Sequence, residues 1–237
     1  MLIVALDTSS ATGSAAVVRD GTIVVERVGD AARTHGERLP RELMALLAAA
    51  GVELRAIDRF AVSVGPGSFT GLRVGIATIQ GLAFAQQKLV VPVSSFEALA
   101  FSTGVLRPPA SAAIGTWIDA HRGEVFAALY DADGGELAGP TSLKPEATLD
   151  AWSRPLGRFD RVRFAGDGAI LYSQCIAARL GARAAIDADV PALAGRMGLI
   201  AAGADNRAVL PHAIVPLYVR RPDAVLAKER RDAAREP

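Results

Sequence analysis

The sequence is poor in the residues that most often carry metal and covalent chemistry. Cys175 is its only cysteine, which excludes an internal disulfide and any zinc site built on several thiolates. The three histidines, His35, His121 and His212, stand at no spacing that would place two imidazoles on one helix face. No Gly-x-Ser-x-Gly nucleophile elbow occurs, so a Ser-His-Asp hydrolase has no local signature here. An excess of charge is missing too: 26 basic residues against 25 acidic ones leave a formal net charge of +1. That balance argues against a protein that coats nucleic acid. Lys88, Lys144 and Lys228 are the only lysines, so arginine makes up nearly all of the positive charge. No apolar run approaches the roughly 18 to 20 residues that span a bilayer, and no membrane association is expected. "MLIVALDTSS" carries Asp7 and no basic leader, so it does not read as a signal peptide, and cytoplasm is the expected compartment.

What is present is enough to build a core. Of 237 residues, 51% are hydrophobic and 22% charged, which suits one large domain or two of roughly 100 to 120 residues. "LIVALD" (2–7) is a short run rich in branched residues. "SAAVVRDGTIVVERV" (14–28) is two such runs joined by Asp20-Gly21, the signature of a type I′ hairpin. Leu39, Leu43, Leu46 and Ala50 then recur on one helix face, with Pro40 near the first turn, so a helix should start around 36–39 and stop at Gly51. "FAVSVG" (60–65) predicts a buried strand, residues 71–87 a helix, and "LVVPVS" (89–94) another strand.

After a Pro/Gly/Ser-rich linker at 102–111, this order starts again. "AAIGTWIDA" (112–120) ends in Asp119 as the first strand ends in Asp7. "EVFAALYDADGGELAG" (124–139) is a second hairpin, a weak helix covers 145–152, "RVRFAGDGA" (161–169) runs into a glycine loop, and 170–181 reads as a helix. Two copies of β-β-β-α-β-α at an offset of roughly 110 residues predict a duplicated α/β fold. Two such lobes, each a mixed sheet flanked by helices, are the plan of the actin-like ATPase (ribonuclease H-like) superfamily. The expected division is an N-terminal, partner-binding lobe at 1–103, a C-terminal lobe at 104–210 and a tail at 211–237. The alternation of basic and acidic residues in 219–237 suits an exposed helix or a frayed end.

"LDTSS" at the first strand, "VGPGSFTGLRVG" after the fourth, "IDAHRGEVF" in the second half and "PLYVRR" near the end together resemble the TsaB (YeaZ) family. The resemblance runs over nearly the whole chain and is strongest in residues 1–100. It implies a part in forming threonylcarbamoyl-adenosine on tRNA, as a non-catalytic subunit. The implied partners are a TsaD-like catalytic paralogue, which carries the metal, and a TsaE-like ATPase. A homodimer is expected when the chain is alone, and contact with tRNA is at most indirect. No cofactor and no metal are expected for this chain. The His-x-x-x-His pair of the TsaD-like relatives has no counterpart: four residues after His35 stands Leu39.

Two other readings compete: an ATP-dependent small-molecule kinase or ATPase, and a metallopeptidase. Actin-like enzymes hold phosphates between two hairpin loops, one per lobe. Asp7, Thr8 and Ser9 stand at the first such place and Asp119 and Arg122 at the second, where hydroxyls, turn N–H groups and a bidentate arginine suit a phosphate. Against this, "DAHRGE" carries bulky side chains where a phosphate must approach closely, and the chain has little room for a kinase's substrate-binding insertions. The peptidase reading needs a metal pair that is missing. The glycines Gly65, Gly67 and Gly71 are read as architectural, permitting positive φ and close approach at a strand-to-helix reversal, with Ser68 or Thr70 as the N-cap. The helix that follows is apolar on two sides. Leu72, Ile76 and Ile79 lie on one, Ala77, Gly81 and Ala85 on the other, with Leu39 and Leu43 on the neighbouring helix; Met44 and Ala48 add apolar character there. One of these faces should lie on the chain's own sheet and the other meet a partner; the alternative is a helix sandwiched inside one domain.

Overall fold

The computed structural model describes residues 1–104 and 111–220 as two lobes built on the same plan. In the first, β1 (Leu2–Asp7), β2 (Ser14–Arg19) and β3 (Thr22–Val28) form an antiparallel meander. Helix α1 (His35–Ala50) leads to β4 (Arg59–Gly65), then α2 (Phe69–Ala85) to β5 (Val90–Ser94), and these strands join β1 in parallel. Helix α3 (Ser95–Gly104) connects the lobes. The second lobe repeats the meander as β6 (Ala112–Asp119), β7 (Val125–Asp131) and β8 (Glu136–Leu143). It continues through α4 (Pro145–Ala151), α5 (Ser153–Leu156), β9 (Arg161–Ala165), α6 (Asp167–Leu171), α7 (Ser173–Leu180) and β10 (Ala184–Ile186). Helix α8 (Ala194–Ala202) follows, and then a stretch to Arg220 that holds two 3-10 turns, Asp205–Arg207 and Pro211–Ala213.

The sheet orders are β3-β2-β1-β4-β5 and β8-β7-β6-β9-β10, so each strand of the first has its counterpart in the second. The duplication expected from sequence is therefore present. β1 and β6 sit at the centre of their sheets, which is why both are nearly unbroken apolar runs rather than alternating ones. Local chemistry sets the turns. Asp20 (φ 49°) and Gly21 (φ 74°) are both left-handed, as a two-residue hairpin with the twist of its strands requires. At the start of α1 the Glu37 carboxylate accepts the Thr34 N–H at 2.9 Å and the Thr34 hydroxyl at 2.7 Å. Ser68 caps α2, its hydroxyl accepting the Gly71 N–H at 3.2 Å.

The two faces of the first sheet carry different cores, one for each parity of residue along a strand. Val4, Leu6, Phe60 and Val62 pack under Leu39, Leu43 and Leu46 of α1 and Ile76, Ile79 and Ala83 of α2. Ile3, Ala5, Val18 and Ala61 pack against Leu99 of α3 and Met197 and Ala201 of α8. In the second lobe Trp117, Leu129 and Phe164 meet Leu149 and Trp152 and the α7 residue Ile176. The opposite face, with Ile114, Ala128 and Tyr130, rests on Phe96 and Ala100 of α3. Helix α3 is thus shared between the two sheets.

Three expectations are corrected. The 102–111 stretch is not linker from its start, because α3 runs to Gly104; residues 105–110 lie outside the described residues. The helix expected at 170–181 is two, α6 and α7, meeting at Tyr172. The lobe boundary at 210 is too late: α8 lies on β1 and β2, where a Cβ on Gly198 would come 2.5 Å from Val18 Cγ2. Chain from about residue 193 to Leu217 therefore belongs to the first lobe. The tail at 219–237 is described only as far as Arg220; the rest lies outside the described residues. Among the described residues no helix is long and apolar enough to cross a membrane.

Candidate functional site

Two features of this fold are placed to act: a cleft between the lobes and an exposed helical face on the first. The cleft, about 1210 Å³, opens where β1 and β6 end side by side. Its lining includes Asp7, Ser9, Asp119 and Asp167, and the apolar side chains of Phe69, Phe126 and Leu217. Asp7 is buried, and burial is the main cause that pushes its carboxyl above the usual carboxylate range. Its Oδ1 accepts the Ser9 N–H at 2.9 Å, which pulls the other way.

The second strand end is occupied by its own turn. Asp119 Oδ1 accepts the His121 N–H at 2.9 Å, and its Oδ2 lies 3.1 Å from His121 Nδ1. His121, Arg122 and Gly123 are all left-handed, with φ of 58°, 60° and 75°. Two residues with full side chains in that conformation make a tight, exposed turn held by the Asp119 carboxylate. Arg122 is exposed and does not line the cleft. Asp7, Ser9 and Asp119 are therefore brought together around one cleft, whereas Thr8 and Arg122 are not.

Thr8 is fully buried because α2 sits directly on it. A Cβ on Gly71 would lie 2.3 Å from the Thr8 carbonyl oxygen, and one on Gly67 would lie 2.3 Å from that of Ser9. A Cβ on Gly75 would fall 2.1 Å from Thr8 Oγ1. The Ser68 N–H donates to the Ser9 carbonyl at 2.7 Å. The glycine stretch thus lets the start of α2 dock against the first turn. Gly65 supplies the left-handed reversal at φ 106°; Gly71 is helical and serves only close approach. Thr8 as a phosphate contact is corrected by this packing. From behind, α1 holds the same turn: His35 Nε2 lies 2.9 Å from the Ser10 carbonyl oxygen, and Arg38 donates to the carbonyls of Ala11 and Thr12. Arg38 is almost fully buried and also meets Glu42 at 2.6 Å. Sequence reading missed this brace, since a His-x-x-Arg pair at the start of a helix looks like solvated surface. Among the described residues no group of three or more His, Cys, Asp or Glu could hold a metal ion.

The helical face divides the candidate partner residues. Leu39, Leu43, Leu72, Ile76 and Ile79 are between 0% and 5% exposed and belong to the lobe's own core, so they offer no surface. Their side of the helices faces the sheet, and that is the physical reason for the correction. Ala77, Gly81 and Ala85 are exposed, and beside them Phe84 stands 78% exposed. On α1, Met44 is 63% exposed and Ala48 and Ala49 are open to solvent. On each of the two adjacent helices small residues thus stand exposed with one large apolar side chain, Phe84 on α2 and Met44 on α1. A solvated helix face of ordinary composition would carry charge in these places.

The chain matches the family described as TsaD, tRNA N6-adenosine threonylcarbamoyltransferase, over residues 26–204. It is 29% identical to the Bacillus subtilis tRNA threonylcarbamoyladenosine biosynthesis protein TsaB over 94% of this chain and 96% of that protein. Among solved structures, YeaZ from Pseudomonas aeruginosa superposes with a TM-score of 0.74 at 31% identity, over 92% of this chain and 99% of that one. A Bacteroides thetaiotaomicron protein with an actin-like ATPase fold shares the architecture alone, at a TM-score of 0.50 and 8% identity over 84% of this chain and 95% of that one.

Proposed function

This chain belongs to the TsaB (YeaZ) family of threonylcarbamoyladenosine biosynthesis proteins, and we propose that its part there is that of a non-catalytic scaffold. In this reading it binds a TsaD-like catalytic paralogue through the exposed side of α1 and α2. A TsaE-like ATPase joins the pair, tRNA is contacted at most indirectly, and the same face closes a homodimer when the paralogue is absent. The observation that carries the reading is the exposed stripe of Ala77, Gly81 and Ala85 beside Phe84 on α2, with Met44 exposed on the adjacent α1. Two observations count against nucleotide chemistry in this chain: α2 covers Thr8 of the first turn, and the second turn is closed on its own aspartate.

Gly81→Arg tests the scaffold. A Cβ at Gly81 meets nothing within 4 Å, so the free chain has room for the arginine, which can extend into water. Buried in a helix–helix contact, the same charge would be desolvated and unpaired, at a cost of roughly 3 to 5 kcal/mol. The variant should melt cooperatively near the parent temperature yet fail to co-elute with the paralogue, and extracts carrying it should make little threonylcarbamoyl-adenosine. Normal complex formation by a folded variant would remove this face from the interface. ATP turnover by the isolated chain that disappears on Asp7→Ala would favour the ATPase reading instead.

A further inference from the structure

The last described segment crosses the cleft and is attached on both sides. On the first lobe, Ile214 and Leu217 enter the core under α2, and the Leu217 N–H donates to the Val64 carbonyl at 2.7 Å. On the second lobe, Val219 packs against the cluster of Phe96, Ile114 and Tyr130. Arg220 reaches Glu124 at 3.3 Å, and its guanidinium lies 5.7 Å from the centre of the Phe126 ring. The chain therefore passes from one lobe to the other between Leu217 and Val219.

Between these anchors stands Tyr218. Its ring centre is 5.3 Å from that of Phe69, and its hydroxyl accepts from Arg73 Nε at 3.2 Å. Arg73 in turn stacks on Phe69 at 3.9 Å. Phe69, Arg73, Ala77 and Gly81 recur every fourth residue of α2, so Tyr218 sits at one end of the stripe assigned above to the partner. We propose that Ile214–Arg220 is a clasp that fixes the angle between the lobes and couples it to occupancy of the α2 face. The coupling rests on the partner reading; the clasp itself does not. A partner lying along the stripe covers Phe69 and Tyr218 and so holds the clasp in place. By reciprocity, loosening the clasp at its far end must weaken the partner's hold.

The test separates these statements. In a full-length Cys175→Ser background, Arg55→Cys and Ala178→Cys place spin labels on exposed sites of the two lobes. Pulsed electron resonance should give one narrow distance distribution for the parent and a broader one for Arg220→Ala. Tyr218→Ala, at a residue 40% exposed, removes the contacts with Phe69 and Arg73 without emptying a core position, weakens the attachment to the first lobe and should broaden it too. Titrated with the TsaD-like paralogue, Arg220→Ala should bind up to about fivefold more weakly, although the residue lies on the other lobe. Distributions identical to the parent's in both variants overturn the clasp. Broadened distributions with unchanged affinity overturn the coupling. If the Gly81→Arg control binds normally, the partner face is wrong, and the distance measurements on the free chain still decide the clasp.

Discussion

The two lobes share a strand order and differ in what covers it. In the first, α1 and α2 are 16 and 17 residues long; in the second, the corresponding helices are broken into pieces of 7 and 4, then 5 and 8. The same docking device serves both. Gly67 and Gly71 let α2 press on the end of β1, and Gly166 lets α6 press on the end of β6, where a Cβ would come 2.1 Å from the Trp117 carbonyl oxygen. After the dock the histories diverge. α2 continues for four more turns and carries Phe84 out to solvent, whereas α6 stops at Leu171 and the chain turns back onto the sheet as α7. A duplicated sheet thus supports one lobe with a long outward face and one without. The proposed division of labour follows: the first lobe presents a surface, and the second is held to it by α3 and the clasp.

The largest effect should come from breaking the dock while sparing the face. Gly71→Leu places atoms where the Thr8 carbonyl already stands and should destabilise the chain by about 3 kcal/mol or prevent folding. Gly81→Leu, ten residues along the same helix, meets open space and should be neutral or gain up to about 1 kcal/mol from helix propensity. Denaturant midpoints of the two variants measure the contrast. Equal effects would mean that α2 is not pressed on the first turn.

A smaller contrast separates the two sides of α2. Ile79→Ala empties a fully buried position between helix and sheet and should cost about 2 to 4 kcal/mol. Phe84→Ala removes a ring that is 78% exposed and should change the stability of the free chain by less than about 0.5 kcal/mol, while weakening association. Sedimentation beside thermal melts reads both quantities. A Phe84 variant that melts far below the parent would place that ring in this chain's own core.

Much of the sheet was legible from sequence because central strands buried on both faces are written as unbroken apolar runs. The repeat was legible for the same reason: Asp7 and Asp119 close equivalent runs before equivalent hairpins. The return of α8 to the first lobe was not, since "AGRMGLIAA" has an apolar face that suits either sheet, and only tertiary packing decides which. The partner face was half legible. Periodicity showed that α2 has two apolar sides, but Leu72, Ile76 and Ile79 look like an interface as readily as a core until the sheet beneath them is known. The clasp was visible only as the string "PLYVRR", because its contacts join residues about 90 to 150 positions apart.

The smallest expected effect sharpens the comparison at the strand ends. Asp119 is only partly buried and closes its own exposed turn, whereas Asp7 is buried at the cleft with its carboxyl raised above the ordinary 3.8 by burial. Asp7→Asn keeps an oxygen for the Ser9 N–H and removes the titrating proton. A carboxyl whose folded pKa is raised binds its proton more tightly in the folded chain. Its contribution to stability is therefore fully present below pH 3.8 and is lost as pH rises through the folded value. The asparagine has nothing to lose over that window. The stability of Asp7→Asn relative to the parent should therefore be lowest in acid, climb as pH rises above 3.8, and level off once Asp7 is ionised in both states. Denaturant midpoints of both proteins between pH 3 and pH 8 check the sign. If the parent instead gains on the variant as pH rises, the cleft stabilises a charged Asp7. The first strand end would then have kept the electrostatics of a working phosphate site, and the difference between the two lobes would lie in their turns alone.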